Sequence, residues 1–502
     1  DIAPKLTIVK TVVNDNGGSR NVSDFHLYID STSAVSGTAY EVEANKEIIV
    51  SEDTVSGYTP SVWGGDCSAD GKITLLPGEN KTCTITNDDQ PGTLIVKKVL
   101  VKDNGGNESV TDFGFRVNGG TKISFESDGE NILTVNAGRY TVAETPVNGY
   151  TTSYNGCTNV RVSNGETKTC TITNNDIAPS IKLNKLVINN NGGSAGVNRF
   201  GLTIGGTSVK SGQTLNVDAN EPIAINEAGL YGYRFVSITG DDKCPEVLGD
   251  TVTLNEGESI TCNITNDDIA PKLTLNKILV NDNGGNAVES DWLLKAVSLS
   301  GKLQGYGASG DSDVVSGSAF KAGTYLLSEL GASGYSASNW SCVKNGGSAV
   351  EGDLISLNVG DEAVCTITND DIAPTLRVIK RVVNNNGGND EIGDFGIKLN
   401  DSLLTFGSGV KIGSLTIYTA NPTVQSNSEY TLSENDLTGY AEGNWHCVDE
   451  KLRVVSNPFT LNEGQDVVCT IRNNDIAPTL TVVKEVVNDN GGNDVADDFN
   501  IK

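Results

Sequence analysis

The stretch CTITNDD, residues 83–89, returns with small changes at four later places: CTITNND at 170–176, CNITNDD at 262–268, CTITNDD at 365–371 and CTIRNND at 469–475. A second motif, DIAP, begins at Asp1, Asp176, Asp268, Asp371 and Asp475, and DQPG replaces it at Asp89. The intervals run from 87 to 104 residues, each the size of one small β-domain. We therefore predict five complete repeats, at 1–88, 89–175, 176–267, 268–370 and 371–474, and the first part of a sixth at 475–502.

Each repeat reads as a series of short strands. Runs such as KLTIVKTVV (residues 5–13) and YTVAE (140–144) carry β-branched and aromatic residues between clusters of Gly, Asn, Asp and Ser, without a helical period. This pattern predicts an all-β chain of tandem immunoglobulin-like β-sandwiches. The linkers between repeats are short and contain proline, so we expect the domains to lie end to end as an extended rod.

Composition excludes several classes of function. There are 64 acidic against 36 basic residues, a net charge of −28, which repels nucleic acid and anionic membrane surfaces. No apolar run approaches the roughly 20 residues that a membrane helix needs. The chain has no Met and no opening signal peptide, so we interpret it as a processed product or a piece of a longer chain. With two His in different repeats, no phosphate loop and no nucleophile elbow, we predict that it is not an enzyme and has no cofactor, with calcium as an alternative.

The ten cysteines fall two to each complete repeat. One pair in each domain predicts intradomain disulfides and an oxidising, extracellular location. A zinc site would need clustered Cys and His, and free buried thiols are the other alternative. The predicted pairs are Cys67–Cys83, Cys157–Cys170, Cys244–Cys262, Cys342–Cys365 and Cys447–Cys469.

Charged residues recur in rows that should face the core. In the first strand, Lys10 shares the parity of Leu6 and Ile8, and in the middle of the repeat Glu52 shares that of Val50. Asn87 likewise follows the inward positions of the last strand. An apolar setting lowers the pKa of an amine and raises that of a carboxyl, so a neutral amine could attack an Asn side-chain carbonyl while the carboxyl moves protons. The product would be a Lys–Asn isopeptide bond formed once in each domain.

The Lys of LTIVK (6–10), the Glu of YTVAETPVNGY (140–150) and the Asn that closes CTITN resemble those of the Cna protein B-type, or SpaA-like prealbumin-like, domains of adhesin stalks and pilin shafts. The resemblance covers all five complete repeats and implies that a first-strand Lys bonds a last-strand Asn, assisted by Glu. Unlike that family, each repeat here also has a Cys pair, so a disulfide with a buried Lys–Glu salt bridge is the alternative. The implied sets are Lys10, Glu52 and Asn87; Lys97, Glu144 and Asn174; Lys185, Glu227 and Asn266; Lys277, Glu329 and Asn369; and Lys380, Glu434 and Asn473.

Two acidic features raise the question of calcium. The loop NDNGG (14–18) predicts a tight turn, with a calcium loop as the alternative, but two repeats replace its central Asp by Asn. The junctions between repeats are locally similar to the Asp-rich, Ala-Pro-ending linkers of cadherins, with a solvated polar linker as the alternative. The candidate calcium ligands there are Asp88, Asp89, Asp176, Asp267, Asp268, Asp370, Asp371 and Asp475.

The sequence thus predicts an extracellular structural protein of a surface fibre, pilus-like filament or adhesin stalk. Its partners would be other copies of itself or other fibre subunits, and strand addition by residues 475–502 is one route if they are the true end. The alternative is a calcium-dependent adhesin or ligand-binding surface protein. Candidate glycosylation sites are Asn21, Asn80, Asn107, Asn263, Asn339 and Asn400.

Overall fold

A computed structural model describes residues 1–299, 303–306, 313–316 and 320–502. Within these ranges the regular structure consists of β-strands and six one-turn 3-10 helices. The all-β prediction is confirmed. The 3-10 helices are Val22–Asp24, Val110–Asp112, Val197–Arg199, Glu289–Asp291, Ile392–Phe395 and Ala496–Asp498.

The chain forms two compact units. The first comprises Asp1–Val187, Gly196–Leu230 and Phe235–Asn266. The second comprises Ile188–Ala195, Tyr231–Arg234 and Asp267–Lys502. Below, "repeat" means one of the segments predicted from the sequence, whose boundaries stay a prediction.

The first three repeats contain the following strands. Those of repeat 1 are Lys5–Val13, Leu27–Ile29, Thr32–Ala34, Ala39–Glu41, Glu47–Glu52, Tyr58–Pro60, Gly64–Gly65, Lys72–Thr74 and Asn80–Asp89. Those of repeat 2 are Gly92–Val101, Gly114–Val117, Ile123–Ser124, Glu130–Val135, Gly138–Tyr140, Val142–Glu144, Tyr150–Asn155, Val160–Val162 and Thr167–Asp176. Those of repeat 3 are Ser180–Ile188, Gly201–Ile204, Thr207–Val209, Thr214–Asn216, Pro222–Ala228, Tyr233–Gly240, Thr251–Thr253 and Ser259–Asp268.

The last two complete repeats are built in the same way. The strands of repeat 4 are Lys272–Val280, Leu293–Ser298, Leu303–Tyr306, Asp313–Val315, Gly323–Leu330, Tyr335–Ala337, Ser341–Lys344, Val350–Glu351, Leu354–Leu357 and Glu362–Asp371. Those of repeat 5 are Thr375–Val383, Lys398–Leu399, Ser402–Leu403, Val410–Ile412, Leu415–Ala420, Glu429–Tyr430, Leu432–Ser433, Tyr440–Glu442, His446–Asp449, Val454–Val455, Phe459–Thr460 and Asp466–Asp475.

The first and last strands of a repeat lie side by side at the centre of one sheet. In repeat 1 they are parallel, with Lys10 opposite Ile85 and Val12 opposite Asn87. Repeats 2, 4 and 5 have the same parallel pairing and the same register between the inward Lys and the Asn. Since side chains alternate between faces, the Lys and the Asn project from neighbouring strands into the same interior, two positions apart.

A second sheet closes over this face and carries the glutamate. In repeat 1 its order is Thr32–Ala34, Leu27–Ile29, Glu47–Glu52, Lys72–Thr74. The apolar layer between the sheets includes Leu6, Ile8 and Leu75, each at most 1% exposed. Complete burial of one such side chain stabilises the fold by about 1.5–3 kcal/mol. The sandwich therefore surrounds the buried charges with hydrocarbon.

Disulfides tie the last strands into this core. All ten cysteines are bonded, in the pairs that the sequence predicts. The second cysteine of each pair is 0% exposed, for example Cys83 and Cys170. Each disulfide closes a loop of 13 to 23 residues, which constrains the unfolded chain.

Candidate cross-linking site

Each complete repeat buries one lysine against one glutamate. The amine-to-carboxylate distance is 2.8 Å for three of the pairs, and the other two pairs are also in direct contact. The lysine side chains are at most 1% exposed and the glutamates at most 13%. The pairs are Lys10–Glu52, Lys98–Glu144, Lys185–Glu227, Lys277–Glu329 and Lys380–Glu434.

In repeat 2 the buried lysine is Lys98, and the prediction of Lys97 is wrong. Leu94 and Val96 are 0% exposed on the first strand, so strict alternation turns Lys98 inward and Lys97 outward. Lys97 is half exposed, and its Nζ lies 2.7 Å from Glu130 on an edge strand. The sequence KK offers two candidates, and the register of the neighbouring apolar residues separates them.

The predicted asparagines all lie in the same interiors. Asn87, Asn174, Asn266, Asn369 and Asn473 are at most 3% exposed. The lysine amine donates to the Asn Oδ1 atom in repeats 2 and 3, at 2.5 Å for Lys98 to Asn174 and 2.6 Å for Lys185 to Asn266. In repeats 3, 4 and 5 the Asn Nδ2 atom donates to the Glu Oε1 atom over 2.6–2.8 Å. Hydrogen bonds thus join the lysine, glutamate and asparagine of repeats 2 to 5 in one polar cluster, and in repeat 1 Asn87 is buried in the same interior as the Lys10–Glu52 pair.

An aromatic ring covers each buried amine, a feature that the sequence analysis did not identify. The Nζ atoms lie 3.7–4.8 Å from the ring centroids. Every aromatic residue follows its lysine by 15 positions, and this spacing selects Lys98 rather than Lys97. A cation over a ring face is attracted by the ring quadrupole. The rings are Phe25, Phe113, Phe200, Trp292 and Phe395.

Burial changes the acidity of the lysines. Desolvation lowers the pKa of Lys98 below its ordinary value, although its hydrogen bond to Glu144 acts in the opposite direction. The same balance lowers the pKa of Lys10, Lys185, Lys277 and Lys380. On the surface, the hydrogen bond to Glu130 instead raises the pKa of Lys97. The inward amines therefore reach the neutral, nucleophilic form more readily than the outward one.

The NDNGG loop forms a turn that binds the carboxylate at the end of the repeat. In repeat 1, the backbone N–H groups of Asn16 and Gly18 donate to Asp89 over 2.6–3.1 Å, and Gly17 adopts a φ of +81°. Burial alone would raise the pKa of Asp89, but these donors lower it. Asp176, Asp268, Asp371 and Asp475 accept the same pair of backbone donors. The aspartate at the end of each last strand therefore accepts hydrogen bonds from backbone N–H groups through its side chain.

The tyrosine of the GY motif holds the other side of this loop. The hydroxyl of Tyr335 donates to the Oδ1 atom of Asn281 at 2.7 Å and accepts from the backbone N–H of Ala287 at 3.2 Å. Equivalent bonds join Tyr58 to Asn14 and Tyr440 to Asn384. In repeat 2, where Lys102 replaces the asparagine, burial raises the pKa of Tyr150 to about 12.

Some of the candidate calcium ligands lie close to a carboxylate of the NDNGG-type loop, and others do not. Ligand atoms of Asp15, Asp88 and Asp89 lie within 4.8 Å of one another, as do those of Asp282, Asp370 and Asp371. Asp267 instead contacts Arg234 at 2.8 Å. In repeats 2 and 5, Asn175 and Asn474 replace the first acid of the pair. Calcium binding at the junctions stays a prediction.

The candidate glycosylation sites are mostly accessible. Five are exposed, whereas Asn263 is half-buried on a strand and accepts a hydrogen bond from Asn184. Glycosylation stays a prediction for all six.

Tandem all-β sandwiches, each with a disulfide and a buried Lys–Glu–Asn cluster, define a class of structural β-domain. The chain belongs to the prealbumin-like fold domain family, whose model matches residues 1–85, 89–174, 268–367 and 371–471. The predicted membership is confirmed. Residues 176–267 lie outside these matches, although Lys185, Glu227 and Asn266 form the same cluster there.

Comparison with individual proteins adds distant likenesses. No curated protein matches the chain significantly. The Bacillus anthracis TIE protein is 15% identical over 70% of this chain and 67% of its own, with a TM-score of 0.40. Two B repeat units of the collagen-binding protein Cna of Staphylococcus aureus are 15% identical over 76% and 100%, with a TM-score of 0.18. The major pilin T-13 of Streptococcus pyogenes is 13% identical over 56% and 98%, with a TM-score of 0.19.

Proposed function

We propose that the chain is a load-bearing segment of an extracellular surface fibre, pilus-like filament or adhesin stalk. Each complete repeat is stapled by its disulfide and by an isopeptide bond between the inward lysine and the last-strand asparagine. The observation that carries this proposal is the buried Lys–Glu–Asn cluster, present in all five complete repeats. The role is structural rather than enzymatic, since each bond forms once and is not turned over.

The chemistry follows from the contacts within the cluster. Transfer of a proton from the ammonium to the adjacent carboxylate leaves a neutral amine beside a carboxylic acid, a pair that an apolar interior favours over two ions. The amine nitrogen then forms a bond to the Asn Cγ atom, and the Cγ–Nδ2 bond breaks. One amine proton moves through the carboxyl group to the leaving nitrogen, which departs as ammonia. Of the two protons that the ammonium loses, one leaves with the ammonia and the other stays on the glutamate, which ends the reaction as a carboxylic acid.

A permanent salt bridge is the competing interpretation. Burying two full charges carries a desolvation penalty of several kcal/mol for each ion, so an unreacted pair is weak support for a sandwich. An amide bond removes both charges and joins the first strand to the last. A pull on the two ends of a repeat acts on these same strands, so the covalent bond would carry the load.

The proposed partners are other copies of the chain or other fibre subunits, and the proposed location is the cell surface or a secreted fibre. A disulfide in every complete repeat is consistent with an oxidising compartment. Among the described residues, no helix has the length and apolar character that a membrane span requires.

Single-molecule stretching under reducing conditions tests the load-bearing role. A repeat without a Lys–Asn bond should lengthen by about 3.3–3.6 Å for each residue that unfolds. We expect no such step from the residues between Lys98 and Asn174, and a full step when Lys98 is replaced by alanine. A full-length step from every wild-type repeat would overturn the proposal.

A further inference from the structure

In repeat 2 a hydroxyl group stands between the asparagine and the glutamate. The Nδ2 atom of Asn174 donates to the Oγ1 atom of Thr152 at 3.2 Å, and this hydroxyl donates to Oε2 of Glu144 at 3.1 Å. The other carboxylate oxygen, Oε1, accepts from Lys98. A continuous chain of hydrogen bonds therefore runs from the amine, through both carboxylate oxygens and the hydroxyl, to the amide nitrogen.

The backbone register places this threonine. Thr152 lies on the strand Tyr150–Asn155, which runs antiparallel to the last strand and pairs Thr152 with Asn174. The residues at the same register in repeats 1, 4 and 5 are Pro60, Ala337 and Glu442. Of these four positions, only repeat 2 offers an aliphatic hydroxyl.

Repeats 3, 4 and 5 use a shorter connection. In repeat 4 the Nδ2 atom of Asn369 donates directly to Oε1 of Glu329 at 2.8 Å, opposite Ala337. In repeat 5 the Nδ2 atom of Asn473 donates directly to Glu434 at 2.7 Å. The hydroxyl in repeat 2 thus occupies the position that a direct amide-to-carboxylate hydrogen bond has in repeats 3, 4 and 5.

We propose that Thr152 is a catalytic proton relay for the cross-link of repeat 2, an inference that rests on the proposed isopeptide chemistry. As Lys98 Nζ bonds to Asn174 Cγ, it gives a proton to Oε1 of Glu144. The carboxyl group passes a proton from Oε2 to the Thr152 hydroxyl, and the hydroxyl passes its own proton to Nδ2. The Cγ–Nδ2 bond breaks and ammonia leaves. The step starts from the neutral amine and the carboxylic acid, with the acid proton on Oε2, and it ends with that proton on Oε1. Thr152 regains its own proton and Glu144 remains a carboxylic acid, so neither is consumed.

Three variants of the full chain distinguish the effect of the Thr152 hydroxyl group from the effect of the shape of its side chain. Thr152→Val keeps the branched side chain and removes the hydroxyl, whereas Thr152→Ser keeps the hydroxyl. Thr151→Val is the matched control, because it makes the same change on the neighbouring, exposed position of the same strand. Each chain is synthesised in a cell-free system, sampled over time, reduced and digested. Mass spectrometry then gives the fraction of repeat 2 present as the branched Lys98–Asn174 peptide, and the other four repeats of the same molecule serve as internal clocks.

We expect Thr152→Val to slow branching in repeat 2 by about a hundredfold or more, as loss of a general acid does, while the other repeats keep their rates. Thr152→Ser should recover most of the rate, and Thr151→Val should match the wild type. Equal rates in Thr152→Val and the wild type would overturn the relay. So would equal losses in Thr152→Val and Thr152→Ser, which would assign the effect to packing.

The design also separates this inference from the function on which it rests. Branching in the other wild-type repeats without branching in repeat 2 would reject the relay alone. Absence of branched peptides from every wild-type repeat would reject the isopeptide chemistry, and the relay with it.

Discussion

The amine of Lys98 contacts the carboxylate of Glu144, and both side chains are closed off from solvent. Lys97, one residue earlier, lies on the opposite face of the same strand with Glu130. A shift of one residue therefore separates a surface ion pair from a candidate covalent bond, because strand side chains alternate with a period of two. This contrast provides matched variants within a single dipeptide.

Replacement of Lys98 by alanine should prevent the cross-link of repeat 2, and replacement of Lys97 should not. Lys98→Ala also leaves the buried Glu144 without its hydrogen-bond partner, which we expect to reduce the stability of that repeat by about 1–3 kcal/mol in addition to the loss of the cross-link. Lys97→Ala loses only an exposed ion pair that solvent screens, so stability should stay close to that of the wild type. Peptide mapping and hydrogen exchange of residues 89–175 measure both effects. A branched peptide that persists in Lys98→Ala would contradict the assignment.

Glutamate is the proton carrier of the proposed reaction, so Glu434→Gln should stop cross-linking in repeat 5. The amide keeps the size of the side chain but cannot accept a proton from Lys380. The measurement is the yield of the branched peptide that joins Lys380 to Asn473. Glu450→Gln, an exposed residue of the same repeat, is the control and should give the wild-type yield. An unchanged yield in Glu434→Gln would remove glutamate from the mechanism.

The disulfide and the isopeptide bond should act independently. Replacing Cys244 and Cys262 together by alanine opens a loop of 18 residues, for which chain entropy predicts a loss of about 3 kcal/mol in unfolding free energy. Hydrogen exchange in repeat 3 checks this loss. The branched peptide that joins Lys185 to Asn266 should form as in the wild type. If it appears only when the disulfide is absent, the disulfide has replaced the isopeptide bond as the staple.

The lowered pKa of Asp89 predicts how the stability of the NDNGG turn depends on pH. The pKa of Asp89 is lowered, so its stabilisation of the NDNGG turn is complete above the ordinary range for aspartate, about 3.9, and disappears as the pH falls through the lower folded value. The amide resonance of Gly18, which donates to this carboxylate, should report that midpoint in an NMR titration. Asp89→Asn should abolish the transition. A midpoint at or above about 3.9 would contradict the account.

The repeating pattern predicted much of this architecture. Recurring motifs predicted the tandem all-β organisation and all five cysteine pairs, because equivalent positions in similar domains occupy equivalent places. Parity identified Lys10, Lys185, Lys277 and Lys380, where the neighbouring apolar residues mark the inward face. At the doubled lysine of repeat 2, the inward positions of Leu94 and Val96 select Lys98 rather than Lys97.

Other features depend on contacts between segments far apart in the chain. The ring of Phe113 over Lys98 could have been found from the constant spacing of 15 residues between lysine and aromatic residue. The binding of Asp89 by backbone N–H groups could not, because main-chain donors leave no trace in the identity of the side chains. Nor could the bridge through Thr152, which needs the register of two strands and the orientation of three side chains.

The mass of the intact, reduced and denatured chain tests the central claim most directly. Each Lys–Asn bond releases one ammonia, and reduction removes any contribution from the disulfides. The account predicts a mass below that of the sequence by one ammonia for each of the five complete repeats, and by one fewer in Lys98→Ala. A mass equal to that of the unmodified sequence would contradict it.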